Sequence, residues 1–336
     1  MVWPLGSHTV ARYWDENRET SRDPTYWMAH PVCREAINRR VTGSPNEWPL
    51  DWFKRVHVPQ PFSRGVSWGC GLGSFERSAV QIGLVSEIDA FDISPASVED
   101  ARREAEAAGI AGIHYRVGDF NDPRLNGGRY DIVFFHASLH HVARLDRLFE
   151  RLSKAFAPAG AVYVDEYVGP SFDAWDPVRL RAAQELLDSC PWSAKRWSFL
   201  DAPVNKYDPS EAVRSGEIRE FLRDYFEIVE WKPFGGQLAG IVFPYLVPGW
   251  TETEEGTDFV RRVMAMEDRQ LQADVESTHH LVAYGRLRAE GERPRWPRRM
   301  RRIASRATWK AGRTAHRLWR ARPRLERYLK RARPRS

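Results

Sequence analysis

A strand that ends in glycines and turns at once into a helix constrains this chain more than any other feature. Residues 65–68, Gly65-Val66-Ser67-Trp68, read as a buried strand, and Gly69-Cys70-Gly71-Leu72-Gly73 follows directly. A helix is expected over about 74–83. Without a Cβ in the way, glycines let backbone N–H groups approach a ligand, and the helix N-terminus adds a favourable dipole. A dinucleotide fingerprint, Gly-x-Gly-x-x-Gly, would need glycine where Ser74 stands. The pattern present is Gly69-x-Gly71-x-Gly73.

Downstream the pattern alternates. Strands are expected at 88–92, 113–117, 131–135 and 161–166, with helices at 94–108 and 145–157. Ser94 is placed as an N-cap with Pro95 in the first turn, and Gly109 stops that helix. Such alternation predicts an α/β domain with a doubly wound, mostly parallel sheet. Beyond Gly169 it breaks, and 171–222 reads as helices joined by loops rich in Pro and Trp. Two final strands are expected at 226–231 and 280–285, making seven, with a helix around 257–275 between them. Ahead of the core, helices near 9–20 and 32–41 suggest a cap. The expected organisation is a helical cap over 1–60, a main domain over 61–290 with a lid at about 171–225, and a tail over 291–336.

Two acids stand in register with the glycine loop. Asp92 ends the second strand within Phe91-Asp92-Ile93-Ser94, and Asp119 follows the third within Gly118-Asp119-Phe120-Asn121. A carboxylate accepts two hydrogen bonds, so it suits a cis-diol. With the loop and with Tyr130-Asp131-Ile132-Val133-Phe134-Phe135, this set resembles the class I S-adenosylmethionine (SAM)-dependent methyltransferases over roughly 64–168. The resemblance implies a Rossmann-like seven-stranded α/β fold with SAM as cofactor. It implies that Gly69, Cys70, Gly71 and Gly73 pass beneath the methionine part. It places Asp92, beside Ile93, at the ribose hydroxyls and Asp119 at the adenine amino group, with Phe120 flanking the ring and His136 lining the site. One position departs from the family. The strand residue often acidic before the loop is Ser67 here, which leaves the cofactor's amino group without an assigned contact. Outside the core, Asp165-Glu166-Tyr167-Val168-Gly169-Pro170 and Glu211-Ala212-Val213-Arg214-Ser215 are similar to methyltransferases found near bacterial glycan-assembly enzymes.

Methyl transfer from a sulfonium needs alignment, exclusion of water and, for a hydroxyl acceptor, a base. His136, His140 and His141 crowd the end of the fourth strand, and histidine is suited to take a proton near neutral pH. Each could instead hold loop backbone or line the adenosine site. Glu166, leaving the fifth strand, is the next candidate base, and Asp165 alternates with it toward the opposite layer. His140 leads, then His141, then Glu166. Arg214 and Lys206 could meet an anionic acceptor or be solvated charges. Tyr13 and Trp14 could close over the cofactor or simply pack. No metal site is expected: Cys33, Cys70 and Cys190 are three, widely spaced and unpaired, which also fits a reducing cytoplasm.

The net charge of +6 hides a division. Residues 293–336 hold 18 Lys and Arg against the single acid Glu326, net +17, and the remainder holds 33 basic and 44 acidic residues, net −11. At helical spacing Met300, Ile303, Ala304, Ala307, Ala311, Ala315 and Leu318 form a stripe that excludes the arginines, like a membrane-surface helix. Trp296, Trp309 and Trp319 suit an interface or base stacking. The tail therefore suggests an anionic membrane surface, with a nucleic-acid arm or a solubilising segment as alternatives. Neither a secretory signal nor a spanning segment is legible, so the expectation is a cytoplasmic protein, peripheral at the inner membrane face. The reading that follows is a SAM-dependent methyltransferase acting on a hydroxyl of a sugar or other small metabolite, with a membrane-linked glycan as one such acceptor. A nucleic-acid methyltransferase is the alternative.

Overall fold

A computed structural model describes residues 7–17, 26–125, 129–171, 174–200, 208 and 210–290. The tail stripe and Lys206 lie outside the described residues. Seven strands form one sheet: β1 (Phe62–Trp68), β2 (Val85–Asp92), β3 (Ile113–Val117), β4 (Tyr130–His136), β5 (Phe156–Tyr167), β6 (Phe226–Gly235) and β7 (His280–Leu287). Their order is β3-β2-β1-β4-β5-β7-β6. The first five pair in parallel, and β7 is antiparallel to both β5 and β6. This is the expected doubly wound, mostly parallel Rossmann-like sheet. The strand order reverses between β1 and β4, where a crevice opens beyond the carboxyl ends of the strands.

The helices are α1 (Ser7–Glu16), α2 (Pro31–Thr42), α3 (Pro49–His57), α4 (Ser74–Gln81), α5 (Pro95–Ala107), α6 (Leu145–Ala155), α7 (Pro177–Asp188), α8 (Ile218–Tyr225), α9 (Ala239–Val242) and α10 (Glu254–Ala273). A parallel sheet is covered on both faces, so its strands read as apolar runs. One layer packs Phe53, Phe75, Val98, Leu187 and Val263 against Phe134 and Tyr163. The other packs Leu148, Phe149, Leu152, Phe221 and Leu222 against Val66, Trp68, Val133, Phe135 and Val164. α5 begins as expected, with the Ser94 hydroxyl accepting from Ser97 N and Pro95 in the first turn.

The segments read as cap and lid enter these two layers. α2 is tied to β6 and α10 by a buried knot: Arg40 Nη1 reaches Glu267 Oε2 at 3.1 Å and Phe234 O at 2.8 Å. Glu267 Oε1 accepts from Gly236 N, Leu238 N and Ala239 N. A Cβ at Gly235, φ +105°, would strike both side chains. α7 packs in the first layer through Leu180, Ala183 and Leu187, and α8 in the second. Their apolar stripes need a partner, and the sheet faces supply it.

Candidate functional site

The crevice is built on the glycine loop. Gly69, Gly71 and Gly73 take φ values of +75°, +51° and +73°, which L side chains adopt only at a cost. A Cβ on Gly69 would lie 2.5 Å from the Ser138 Cβ, and one on Gly73 would lie 2.3 Å from the Tyr115 hydroxyl. At Gly71 nothing lies within 4 Å. The loop is thus wedged shut on two sides and open at its middle, a cradle for a ligand that approaches backbone closely.

The two acids flank that cradle. Asp92 Oδ2 accepts from Gly71 N at 2.8 Å and Oδ1 from Ser94 N at 2.9 Å. A carboxylate has about four lone-pair sites, so these bonds do not exhaust it. Burial pushes the Asp92 carboxyl up, against the backbone N–H groups of Ser94, Gly71 and Ile93. Asp119 Oδ1 accepts from Asn121 N at 2.7 Å. Asn121 Oδ1 in turn accepts from Ala143 N and Arg144 N, pinning this loop to the segment after β4. Phe120 is buried against Gly69. α1 closes on the rim. Asp15 Oδ1 accepts from Ser94 Oγ at 2.6 Å and Ala96 N at 3.1 Å. The Trp14 ring meets His141 edge-on at 5.1 Å, with Tyr13 against Trp14.

The histidines part company where β4 ends. His136 pairs in register with Asp165, is exposed, and stacks on Phe75 of α4 at 4.9 Å. Ala137 takes φ +49° with its N–H on Asp165 O. That sparsely populated conformation for alanine turns the chain into the short 3-10 segment Leu139–His141. His140 and His141 are thereby carried to the opposite layer, beside Glu166.

Glu166 is fully buried. Oε2 accepts from Ser138 N at 2.8 Å and Leu139 N at 2.5 Å, and Oε1 accepts from Tyr167 N at 2.7 Å and from His140 Nδ1. With its lone pairs taken, it acts as an anchor for the histidine turn. Burial works against charge on His140, but Glu166 overrides it, with Glu211 and Asp208 behind, and its pKa is pushed up to about 9. His141 goes the other way. Burial and then the His140 cation hold it well below the ordinary range. Its Nδ1 lies 3.2 Å from Ser210 Oγ and 3.4 Å from Asp208 Oδ2. Donor atoms of His140, His141 and Glu211 all lie within 4.8 Å of one another, a span a divalent cation could bridge. Within that cluster His140 is ion-paired with Glu166, and its Nε2 lies 4.0 Å from Glu211 Oε1.

Arg214 is bound at both ends. It grips Glu217 at 2.6 Å and 2.8 Å and Asp146 at 3.0 Å. This guanidinium fastens the segment after β5 to α6, so it is neither the solvated charge nor the unengaged anion site that its sequence position offered. Sequence reasoning missed Asp15, Asp208, Ser210 and Glu76. The last had a legible signal: Glu76 and Ala79 share the buried face of α4, so an acid occupies a core position of the helical stripe.

The loop, the paired acids and the reversed strand order define a methyltransferase domain of the class I, SAM-binding type. Residues 66–164 match the methyltransferase domain family. Over 53 residues the chain is 42% identical to an uncharacterised RNA methyltransferase of Listeria monocytogenes, which is 16% of this chain and 11% of that protein. The chain thus matches about a tenth of that relative's length. It overlays on phosphoethanolamine N-methyltransferase 2 of Haemonchus contortus, bound to SAM, at 17% identity and TM-score 0.48, covering 84% of this chain and 60% of the other. A SAM-dependent methyltransferase of Mesorhizobium loti overlays at 19% identity and TM-score 0.40, covering 70% of this chain and 97% of the other. Among the described residues no helix is long and apolar enough to cross a membrane.

Proposed function

We propose that this protein transfers a methyl group from SAM to a hydroxyl of a sugar or other small acceptor, a membrane-linked glycan among them. The observation that supports this reading is the oriented histidine pair. His140 is held through Nδ1 by Glu166 and faces Glu211 through Nε2, while His141 is held through Nδ1 by Ser210 and Asp208, which makes its Nε2 the working nitrogen. Bound SAM supplies a methyl already activated on a sulfonium. The protein's own residues supply alignment, dryness and a proton acceptor.

We infer a different order of candidate bases from the charge states of the two rings. His140, held protonated by Glu166, is a poor proton acceptor at neutral pH. His141 is neutral there and takes the hydroxyl proton. His140 fixes its neighbour's charge state, and Glu166 positions the turn that carries both. Trp14 packs on His141 and shields it from water. His136, on the other layer, faces the cleft next to Phe75 and Asp165 and lines it.

The basic tail gives a reason for an anionic surface near the acceptor, at about 1 kcal/mol per basic residue close to the lipid. A second reading, methylation of RNA, draws on the names of the Listeria relatives and on one surface hollow. That hollow, of about 560 Å³, is lined by Arg124, Arg129, Arg147, Arg151 and Lys154, with Asp122 among them. Transfer of labelled methyl from SAM to free saccharides, lipid-linked saccharides and RNA separates the two. His141→Ala should lower turnover on the saccharide by about 10²–10⁴ with affinity for S-adenosylhomocysteine (SAH) intact. Label in RNA alone, and only with residues 293–336 present, would replace the small-acceptor reading with the second one.

A further inference from the structure

The cofactor's methionine end carries an ammonium, and the strand position from which an acid would meet it holds Ser67. The structure shows what stands there instead. Val66 and Trp68 face one layer of the sheet, so Ser67 faces the other, where α4 packs. Glu76, in the first turn of α4, points back toward β1 and is 1% exposed. Its Oε1 accepts from the Ser67 hydroxyl at 2.5 Å. Its Oε2 is buried with no hydrogen-bond partner. A buried acceptor without a donor is costly, and this one lies within electrostatic reach of Cys70 in the loop and of Asp92.

We propose that Glu76, held in place by Ser67, is the anionic group that receives the cofactor's ammonium. A serine on the strand and a glutamate on the helix together place a carboxylate where an aspartate on the strand would place its own. The short strand residue supplies the hydroxyl that aims Oε1, and the long helical residue supplies the charge. The open φ +51° position at Gly71 leaves room above for the ligand. The assignment needs the cofactor and does not depend on the acceptor.

Charge in this pocket is finely set. Facing Glu76 are Ser67 and Cys70 from β1 and its loop, Arg77 from α4, Asp92 from β2 and Tyr115 from β3. Burial is the largest influence and pushes its carboxyl up to about 7, against the Ser67 hydrogen bond. Burial thus favours the neutral carboxyl, and a cation placed against it favours the anion.

Calorimetry with two ligands tests this. SAH carries the ammonium, and 5′-methylthioadenosine keeps the nucleoside and lacks the amino acid. Glu76→Gln should weaken SAH by about 10- to 100-fold, the loss of a charged hydrogen bond, and leave methylthioadenosine within about 2-fold. Returning the acid to the strand, in Ser67→Asp with Glu76→Gln, should restore most of the SAH affinity. Equal losses for both ligands, or no loss for SAH, would overturn the assignment. Should Glu76→Gln fail to fold, the wild-type protein decides. Its SAH affinity should fall as pH drops below about 7 while methylthioadenosine stays level, and a level SAH profile would overturn the assignment. A wild-type protein that binds methylthioadenosine and not SAH would overturn it as well, and one that binds neither would also remove the cofactor.

Discussion

Glu166→Gln removes one charge from a carboxylate that is 1% exposed and serves four donors, Ser138 N, Leu139 N, Tyr167 N and His140 Nδ1. Glutamine offers one oxygen. Placed against Ser138 and Leu139, it turns an NH₂ group toward Tyr167 N–H and His140, donor against donor. The Tyr167 N–H is left unpaired at about 1–3 kcal/mol. The ionic part follows from His140. Its folded pKa lies at about 9 against an ordinary 6.5, raised against burial by Glu166 first and then by Glu211 and Asp208, a net difference worth on the order of 3 kcal/mol. Because that pKa is raised, the contribution is complete below pH 6.5 and is lost as pH climbs through 9. The variant should therefore be less stable by about 3–5 kcal/mol at pH 6, the usual cost of breaking a buried pair. The gap should narrow to about 1–3 kcal/mol above pH 9.5, where the amide mismatch alone remains. Urea unfolding of both proteins at pH 6 and pH 9.5 measures this. A gap under about 1 kcal/mol at pH 6, or one that ignores pH, would refute the anchoring role.

Gly73→Ala should lower stability by at least about 1–2 kcal/mol from the left-handed backbone alone, and SAH binding should fall with it as Tyr115 is pushed aside; an unchanged melting temperature would contradict the φ and contact at this turn. His140→Gln removes the cation that, after burial, keeps His141 down, so the acid limb of the pH–rate profile should move up toward 6.5; a stationary limb would dismiss His141 as the base. Dialysis against EDTA should leave turnover and melting temperature unchanged, since His140 is already held between Glu166 and Glu211; a loss reversed by added zinc or manganese would make the His140, His141 and Glu211 cluster a metal centre.

Much of the cofactor half was legible in sequence because it depends on contiguous residues. Gly69, Gly71 and Gly73 announce positive φ. Asp92 and Asp119 sit at strand ends that periodicity alone locates, and Ser94 with Pro95 marks a helix start. The expected strands over 65–68, 88–92 and 113–117 lie within β1, β2 and β3, with β1 and β2 extended backward by three residues each. α3 went unread because Trp48, Pro49 and the charges that follow hide a short helix whose apolar face is Trp52 and Phe53.

The acceptor side resisted for a different reason. His136, His140 and His141 look alike on paper, yet one strained residue, Ala137, sends them to opposite layers. Whether a histidine is cationic or neutral depends on which carboxylate lies against it in space, and Glu166, Asp208 and Glu211 come from distant stretches. Arg214 reads as an available charge until Glu217 and Asp146 close on it. Sequence by itself determined that this chain builds a glycine-looped, seven-stranded sheet, because turns, caps and strand ends depend on local backbone conformation; the cofactor came from the family resemblance those residues carry. Only the tertiary structure decided that Glu76 lies buried against Ser67 and that His140 and His141 sit among different carboxylates, because burial and charge proximity are properties of space and not of order along the chain.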